Sequence, residues 1–237
     1  MDAPTTPRKR LRSAHLFREM KRACRSPVPF DEKLDSDNRE KVVEFMDELC
    51  NDFKLKDTTH GLAVSYCDRF MRSRARPNYE DELIGMVCVL VAAKFDDVKF
   101  PSVDALIERV EGNFTRSQVR EAELGVLRAL GWRLHDTTPH SFLNELDAMI
   151  TIAPPLRRRA EFFANMATYE SRVLQFIPAV LALASLLGGR KQLFPLTATK
   201  TYDKMLCAVC GVSHSEVERC LEILLAHFAR VFGDSGC

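Results

Sequence analysis

The stretch "LIGMVCVLVAAKFDDVKF" (residues 83–100) constrains this chain more than any other. Its first eleven residues, 83–93, carry no charged or strongly polar side chain at any position. A helix built from them is apolar on every face and has to be surrounded. At eleven residues it is well short of the ~20 that span a bilayer. The surroundings must therefore be other helices, with this one at their centre. The run ends in Lys94 and Phe95, then Asp96 and Asp97. A central helix has no need of a cation and an aromatic ring at its tip, so these residues ask for a role beyond packing.

Around this run the pattern is helical almost throughout. Val42, Val43, Phe45, Met46 and Leu49 recur at spacings of three and four, as do Leu62, Ala63, Tyr66, Cys67, Phe70 and Met71. Thr115 followed by Gln118 forms a capping box, opening a helix that runs through Leu130 and is closed by Gly131. A short helix after Pro101 is expected to close at 108–110. No segment alternates in the way a half-buried strand requires, and the fold class expected is all-α.

Charge is uneven along the 237 residues. Residues 1–26 hold eight Lys and Arg against Asp2 and Glu19. With a formal net charge of +1 for the whole, the remainder is slightly acidic, which argues against a general polyanion binder. No apolar run reaches membrane-spanning length and the basic N-terminus lacks the apolar stretch of a signal peptide, so an intracellular protein is expected. The eight cysteines sit mostly at apolar helical positions and read as reduced core residues.

The chain also repeats itself. "SQVREAELGVL" (117–127) aligns without a gap with "SEVERCLEILL" (215–225) at an offset of 98. The same offset lays the apolar run over a second one at 182–188. Two tandem units of about five helices each are expected, at 38–135 and 139–232, joined by "HDTTPHS". Ahead of them, residues 1–14 are expected to be a disordered basic tail, and residues 15–37 a short helix and connector.

"NREKVVEFMDELCNDFKLKDTTHGLAVSYCDRFM", "LIGMVCVLVAAKFDDVKFPSV" and "SQVREAELGVLRALGWRLHDTTPHSFL" together resemble a cyclin box, and the second half resembles the C-terminal cyclin fold. "GWRL…TPxSFL" leans toward D-type and plant-like cyclins, while "HLFREM" is similar to the N-terminal helix of mitotic, A-type-like members. The resemblance implies a subunit without catalysis that binds and activates a cyclin-dependent protein kinase in cell-cycle control, as a heterodimer in the nucleus or cytoplasm. It implies Lys94 and Glu123 as the residues that grip the kinase, with Phe95, Leu124, Leu127 and Trp132 as the apolar floor. It further implies a structural ion pair between Arg39 and Asp68, and a substrate-docking patch at Val42 and Phe45, with Glu82 on a neighbouring helix. That patch departs from the family pattern: Asn38 and Lys41 stand where apolar residues are usual, and Phe45 replaces a tryptophan. At the offset of 98, Lys94 falls on Gln192 and Glu123 on Leu221, so only the first unit is expected to bind a kinase.

Weaker signals remain. Cys207 and Cys210 with His214 and Cys220 have a zinc-like look, but one CxxC inside an apolar helical run reads as core, and neither metal nor cofactor is expected. "RKRLR" (8–12) has the form of a nuclear import signal. Thr6-Pro7 has the form of a proline-directed phosphorylation site, with Ser26-Pro27 a weaker one. The competing class is a transcription adaptor, or a transcriptional-kinase partner, on the same helical fold. A DNA-associated adaptor would need basic faces on the folded units, which the acidic remainder disfavours, so no direct nucleic-acid contact is expected. The chain contains no glycine-rich phosphate loop and no nucleophile elbow, which speaks against an enzyme.

Overall fold

The computed structural model describes residues 7–23, 37–73, 77–110, 113–195 and 200–233. Every regular element among them is helical. The helices are α1 (Pro7–Ala23), α2 (Asp37–Asp52), α3 (Asp57–Met71), α4 (Asp81–Asp96), α5 (Val103–Arg109), α6 (Arg116–Ala129), α7 (Pro139–Ile150), α8 (Pro154–Met166), α9 (Pro178–Leu193), α10 (Lys200–Cys210) and α11 (His214–Phe232). A 3₁₀ turn, Ser171–Gln175, separates α8 from α9. No described helix is long and apolar enough to cross a membrane.

The chain divides into two compact units. One is Lys33–Asp136; the other joins Met1–Glu32 to Thr137–Cys237. In the first, the apolar run lies within α4, and all of residues 83–93 are buried. α2, α3 and α6 pack around it. In the second unit α9 has the same position: residues 179–189 are buried and α7, α8 and α11 surround them. α2–α6 and α7–α11 are thus two five-helix sets, each wrapped around its own apolar centre.

Local signals set the helix ends. Thr115 caps α6: its Oγ1 accepts from the Gln118 backbone N–H at 3.3 Å, and the Gln118 side chain accepts from the Thr115 N–H at 2.8 Å. Thr138 and Ser141 make the corresponding exchange at the head of α7, with Pro139 in the first helical position. α6 ends at Gly131, whose φ of +60° an L side chain rarely adopts.

α1 corrects one expectation. It begins at Pro7, so residues 7–14, expected as tail, are helical. The segment has no helix breaker after Pro7, and proline favours the first helical turn. α1 packs on α7 and α10 of the second unit. Phe17 is fully buried there and meets Phe142 edge-on at 4.8 Å. Residues 1–6, including Thr6, and Ser26 lie outside the described residues.

Candidate functional site

The tip of α4 carries Lys94, and α6 carries Glu123. Lys94 Nζ donates to Glu123 Oε1 at 2.6 Å, and both side chains are partly open to solvent. Two groups expected to act toward a partner therefore satisfy each other in the free chain. Beside them lies apolar surface that the core does not use. Phe95, Val98, Phe100, Leu124 and Trp132 are all exposed, Val98 at 93% and Trp132 at 63%. Phe95, Leu124 and Trp132 were expected from the sequence. Val98 and Phe100 were not; their signal is an apolar residue on either side of Lys99 in a short connector. Leu127 is only half-buried and sits on the flank of α6; its carbonyl accepts from the Trp132 N–H at 2.9 Å.

Two sets of contacts hold this surface in place. Asp96 and Asp97, directly after Phe95, fasten the end of α4 to the head of α3. Thr58 Oγ1 donates to Asp96 Oδ2 at 2.6 Å and Thr59 Oγ1 to the same oxygen at 3.1 Å. Thr59 also donates to Asp97, and Lys56 Nζ lies 3.6 Å from Asp97 Oδ1. The aspartates that followed the lysine so abruptly are anchors. They fix where α4 stops, and Phe95 faces outward as a result.

The second set comes from "YCDRF" in α3. Tyr66 donates through its hydroxyl to the Leu134 carbonyl. Arg69 donates to the carbonyls of Leu130, at 3.3 Å, and Arg133, at 2.8 Å, and lies 3.4 Å from Asp136. Ser65 Oγ donates to Asp136 Oδ2 at 2.6 Å. The whole segment after α6, with Trp132 in it, is thereby laced to α3. Asp68 faces the other way. Arg39 Nε and Nη2 donate to its two oxygens at 2.7 and 3.0 Å, and both side chains are about nine-tenths buried. This bidentate pair ties α2 to α3. Phe70, also buried, stacks on Tyr79.

The residues expected as a substrate-docking patch are spread over α2 and α4. Asn38, Lys41 and Glu82 are exposed, while Val42 and Phe45 are half-buried. Phe45 and Val42 lie over Gly85 of α4, where an added methyl would meet Phe45 Cδ1 at 3.2 Å. The apolar part of the patch is thus narrow, and Lys41 borders it.

In the second unit the matched positions differ in kind. Leu221 is buried at the centre of α11, and Gln192 is half-buried at the end of α9. Cys207, Cys210 and Cys220 are buried in α10 and α11. Burial pushes the thiol of Cys207 up to about 11 and that of Cys210 up to about 12, and it pushes Cys220 up as well. Thiols held protonated are poor metal ligands. His214 lies 3.3 Å from Glu218, and no group of three or more metal-binding side chains gathers among the described residues.

Comparison with known proteins agrees with this architecture. Residues 13–135 match the family profile of the cyclin N-terminal domain, and residues 137–232 that of the cyclin C-terminal domain. The chain belongs to the cyclin family. Among curated relatives it is similar to Cyclin-D3-3 of Arabidopsis thaliana, 28% identical over 216 residues that cover 85% of this chain and 59% of the relative. It is also similar to Cyclin-A2 of Xenopus laevis, 26% identical over 173 residues that cover 71% of this chain and 42% of the relative. This cyclin therefore spans about half the length of the curated relatives it matches. Among solved structures it resembles a viral cyclin from herpesvirus saimiri, with a TM-score of 0.72, 21% identity and coverage of 95% of this chain and 97% of that one. A chain of the yeast RNA Pol II CTD kinase CTDK-1 complex is similar at a TM-score of 0.64, with 15% identity and coverage of 96% of this chain and 73% of that one.

Proposed function

We propose that this cyclin binds a cyclin-dependent protein kinase through its first unit and activates it, with no catalysis of its own. The observation that carries the reading is the Lys94–Glu123 pair at the end of a buried helix, next in sequence to exposed Phe95 and Leu124, in a unit that also exposes Val98, Phe100 and Trp132. Apolar surface of that kind, rimmed by charge, marks a protein-interaction site. Binding would open the pair: Lys94 would donate to backbone carbonyls of the kinase and Glu123 accept from its N–H groups, while Phe95, Leu124 and Trp132 enter apolar contact. Charge-assisted hydrogen bonds of this sort contribute about 1.5–3 kcal/mol each. Activation then follows as a population shift. A kinase that binds better with its mobile helix in the active position is held in that position, by as much as the difference in affinity. A role in cell-cycle control, and a nuclear location through "RKRLR", belong to the same proposal.

The test is calorimetric titration of a cyclin-dependent kinase with wild type, Lys94→Glu, Glu123→Ala and Gln192→Glu, with thermal midpoints measured alongside. Losing one partner of a desolvated charged contact costs about 2–5 kcal/mol, roughly 30-fold and upward in affinity. Lys94→Glu and Glu123→Ala are expected to show that loss. Their midpoints should stay near wild type, because a half-exposed pair contributes only about 0–1 kcal/mol to stability. Gln192→Glu should bind normally. Normal binding by Lys94→Glu together with lost binding by Gln192→Glu would place the kinase surface on the other unit.

A further inference from the structure

α10 buries Asp203, Leu206, Cys207 and Cys210 against the second unit. Its outward side carries Lys200, Thr201 and Lys204, and with them two large apolar side chains. Met205 is 58% exposed and Val209 41%, four residues apart and hence neighbours on one side of the helix. Tyr202, half-buried, continues the line by one turn and carries the Arg190 guanidinium 4.3 Å above its ring. These three side chains form an apolar ridge about 10 Å long, at 1.5 Å per residue.

The ridge runs into a cluster of positive charge. At the C-terminus of α10, Arg18 Nη2 of α1 donates to the Val209 carbonyl at 3.2 Å, and Lys21 Nζ donates to the Gly211 carbonyl. Both cations spend themselves on neutral carbonyls, and among the described residues neither is paired with a carboxylate. Of the acids on α1, α10 and the start of α11, Glu19, Asp203 and Glu218 are engaged, and Glu216 stands exposed in the first turn of α11. Glu19 pairs with Arg22 at 2.7 Å, Asp203 with Arg190 at 2.6 Å, and Glu218 lies against His214. Lys200 and Lys204 stand exposed toward the opposite end of α10. An apolar ridge with unneutralised cations at both ends selects by charge as well as by shape. A basic segment would be repelled. A second copy of this chain would bring the same cations against one another, since a two-fold contact pairs a surface with itself.

We propose that the Tyr202–Met205–Val209 ridge docks an acidic amphipathic segment of a protein partner, with apolar side chains on Met205 and Val209 and a carboxylate taken up by Arg18 and Lys21. The proposal uses residues of the second unit alone and does not rest on the Lys94–Glu123 pair. Carbonyl-bound cations are already oriented, so a carboxylate joins them with little further ordering of the side chains.

The test uses the full chain and two labelled synthetic peptides of fourteen residues. One has Leu at three positions with helical spacing i, i+4 and i+7 and Glu at most others; the second has Lys in place of each Glu. Fluorescence anisotropy is expected to show saturable binding of the acidic peptide alone, weakening as salt is raised from about 50 to 500 mM through screening. Met205→Glu should weaken it at least 10-fold, and Arg18→Gln with Lys21→Gln should weaken it and flatten the salt dependence. Lys94→Glu should leave it unchanged. Val209→Glu replaces Met205→Glu if circular dichroism shows that the first variant is misfolded. Equal binding of both peptides, no binding of the acidic peptide, or indifference to the substitutions on α10 would overturn the proposal. So would concentration-dependent self-association that Met205→Glu abolishes, which would make the ridge a contact between copies.

Discussion

Trp132 holds a backbone conformation that suits it badly. Its φ is +58°, directly after Gly131 at +60°. The arrangement closes α6: the Gly131 N–H donates to the Arg128 carbonyl and the Trp132 N–H to the Leu127 carbonyl, each at 2.9 Å. A bulky residue in the left-handed region costs on the order of 1 kcal/mol or more. Largely exposed, Trp132 recovers little of that by burial. Strain on an exposed aromatic is what a contact residue selected for its partner would show. Trp132→Asn should therefore hold or raise the denaturation midpoint, since asparagine tolerates this conformation, while weakening kinase binding. A clear fall in the urea midpoint would mean that the ring packs on its own chain. Glu170 presents the opposite case, a buried charge fully provided for. It is 5% exposed and His227 2%. Burial alone would push its carboxyl up. Hydrogen bonds from the Arg172 side chain, at 2.7 and 2.8 Å, and from its backbone N–H, at 3.0 Å, with His227 Nδ1 in contact at 3.1 Å, outweigh that and hold it well below the usual carboxylate range. A carboxyl lowered by folding contributes stability above its unfolded value of about 4.3, and that contribution is lost as pH falls below it. Thermal midpoints from pH 6 to pH 3 should drop more steeply for wild type than for Glu170→Gln, with the variant less stable at pH 6 by about 1–3 kcal/mol. Parallel curves would assign the acid sensitivity elsewhere.

Between helices, close approach sets the packing, and Gly125 of α6 shows how tightly. A methyl at this position would come 2.7 Å from the Tyr79 hydroxyl oxygen and 2.9 Å from its Cε2. Tyr79 cannot simply swing aside, because its ring stacks on buried Phe70 at 6.3 Å and 11°. α6 is brought in close through its glycine, and this approach sets the height of Glu123 and Leu124 over the tip of α4. In an isolated helix Gly125→Ala would gain about 1 kcal/mol. Here it is expected to lose about 1–3 kcal/mol through overpacking. Tyr79→Leu should remove most of that penalty, because a shorter side chain frees the space. A double-mutant cycle in guanidinium unfolding measures the coupling. Additive effects would show that Gly125 is tolerated rather than required. Tyr66, Arg69, Thr58 and Thr59 act on the same surface through hydrogen bonds that hold the segments carrying Trp132 and Phe95.

Across the molecule, what could be read from the sequence was whatever is periodic. The apolar run at 83–93, its echo 98 residues later and the capping box at Thr115 are local patterns, and two five-helix units follow from them. Contacts between distant side chains left no such trace. Lys94 and Glu123 pair across 29 residues, and nothing in their spacing distinguishes mutual satisfaction from two groups awaiting a partner. The threonines that meet Asp96 and Asp97 read only as the start of a helix. The largest omission was the place of α1. Its sequence is basic and begins like a tail, and the residue that docks it, Phe17, is a single apolar side chain. Yet Phe17 is fully buried against Phe142, and Arg18 and Lys21 cap carbonyls at the end of α10, where the helix dipole favours cations. α1 is therefore part of the second unit's core, although it precedes the first unit in the chain. Removing a buried phenylalanine costs about 3–5 kcal/mol, so Phe17→Ala, or a chain starting at residue 33, should loosen the second unit selectively. Amide hydrogen exchange is expected to quicken in α7 and α10 and to stay slow in α4 and α6, since those helices draw their protection from a core α1 does not enter. If exchange quickens equally in α4, or does not change in α7, then α1 is an appendage and the second unit is complete without it.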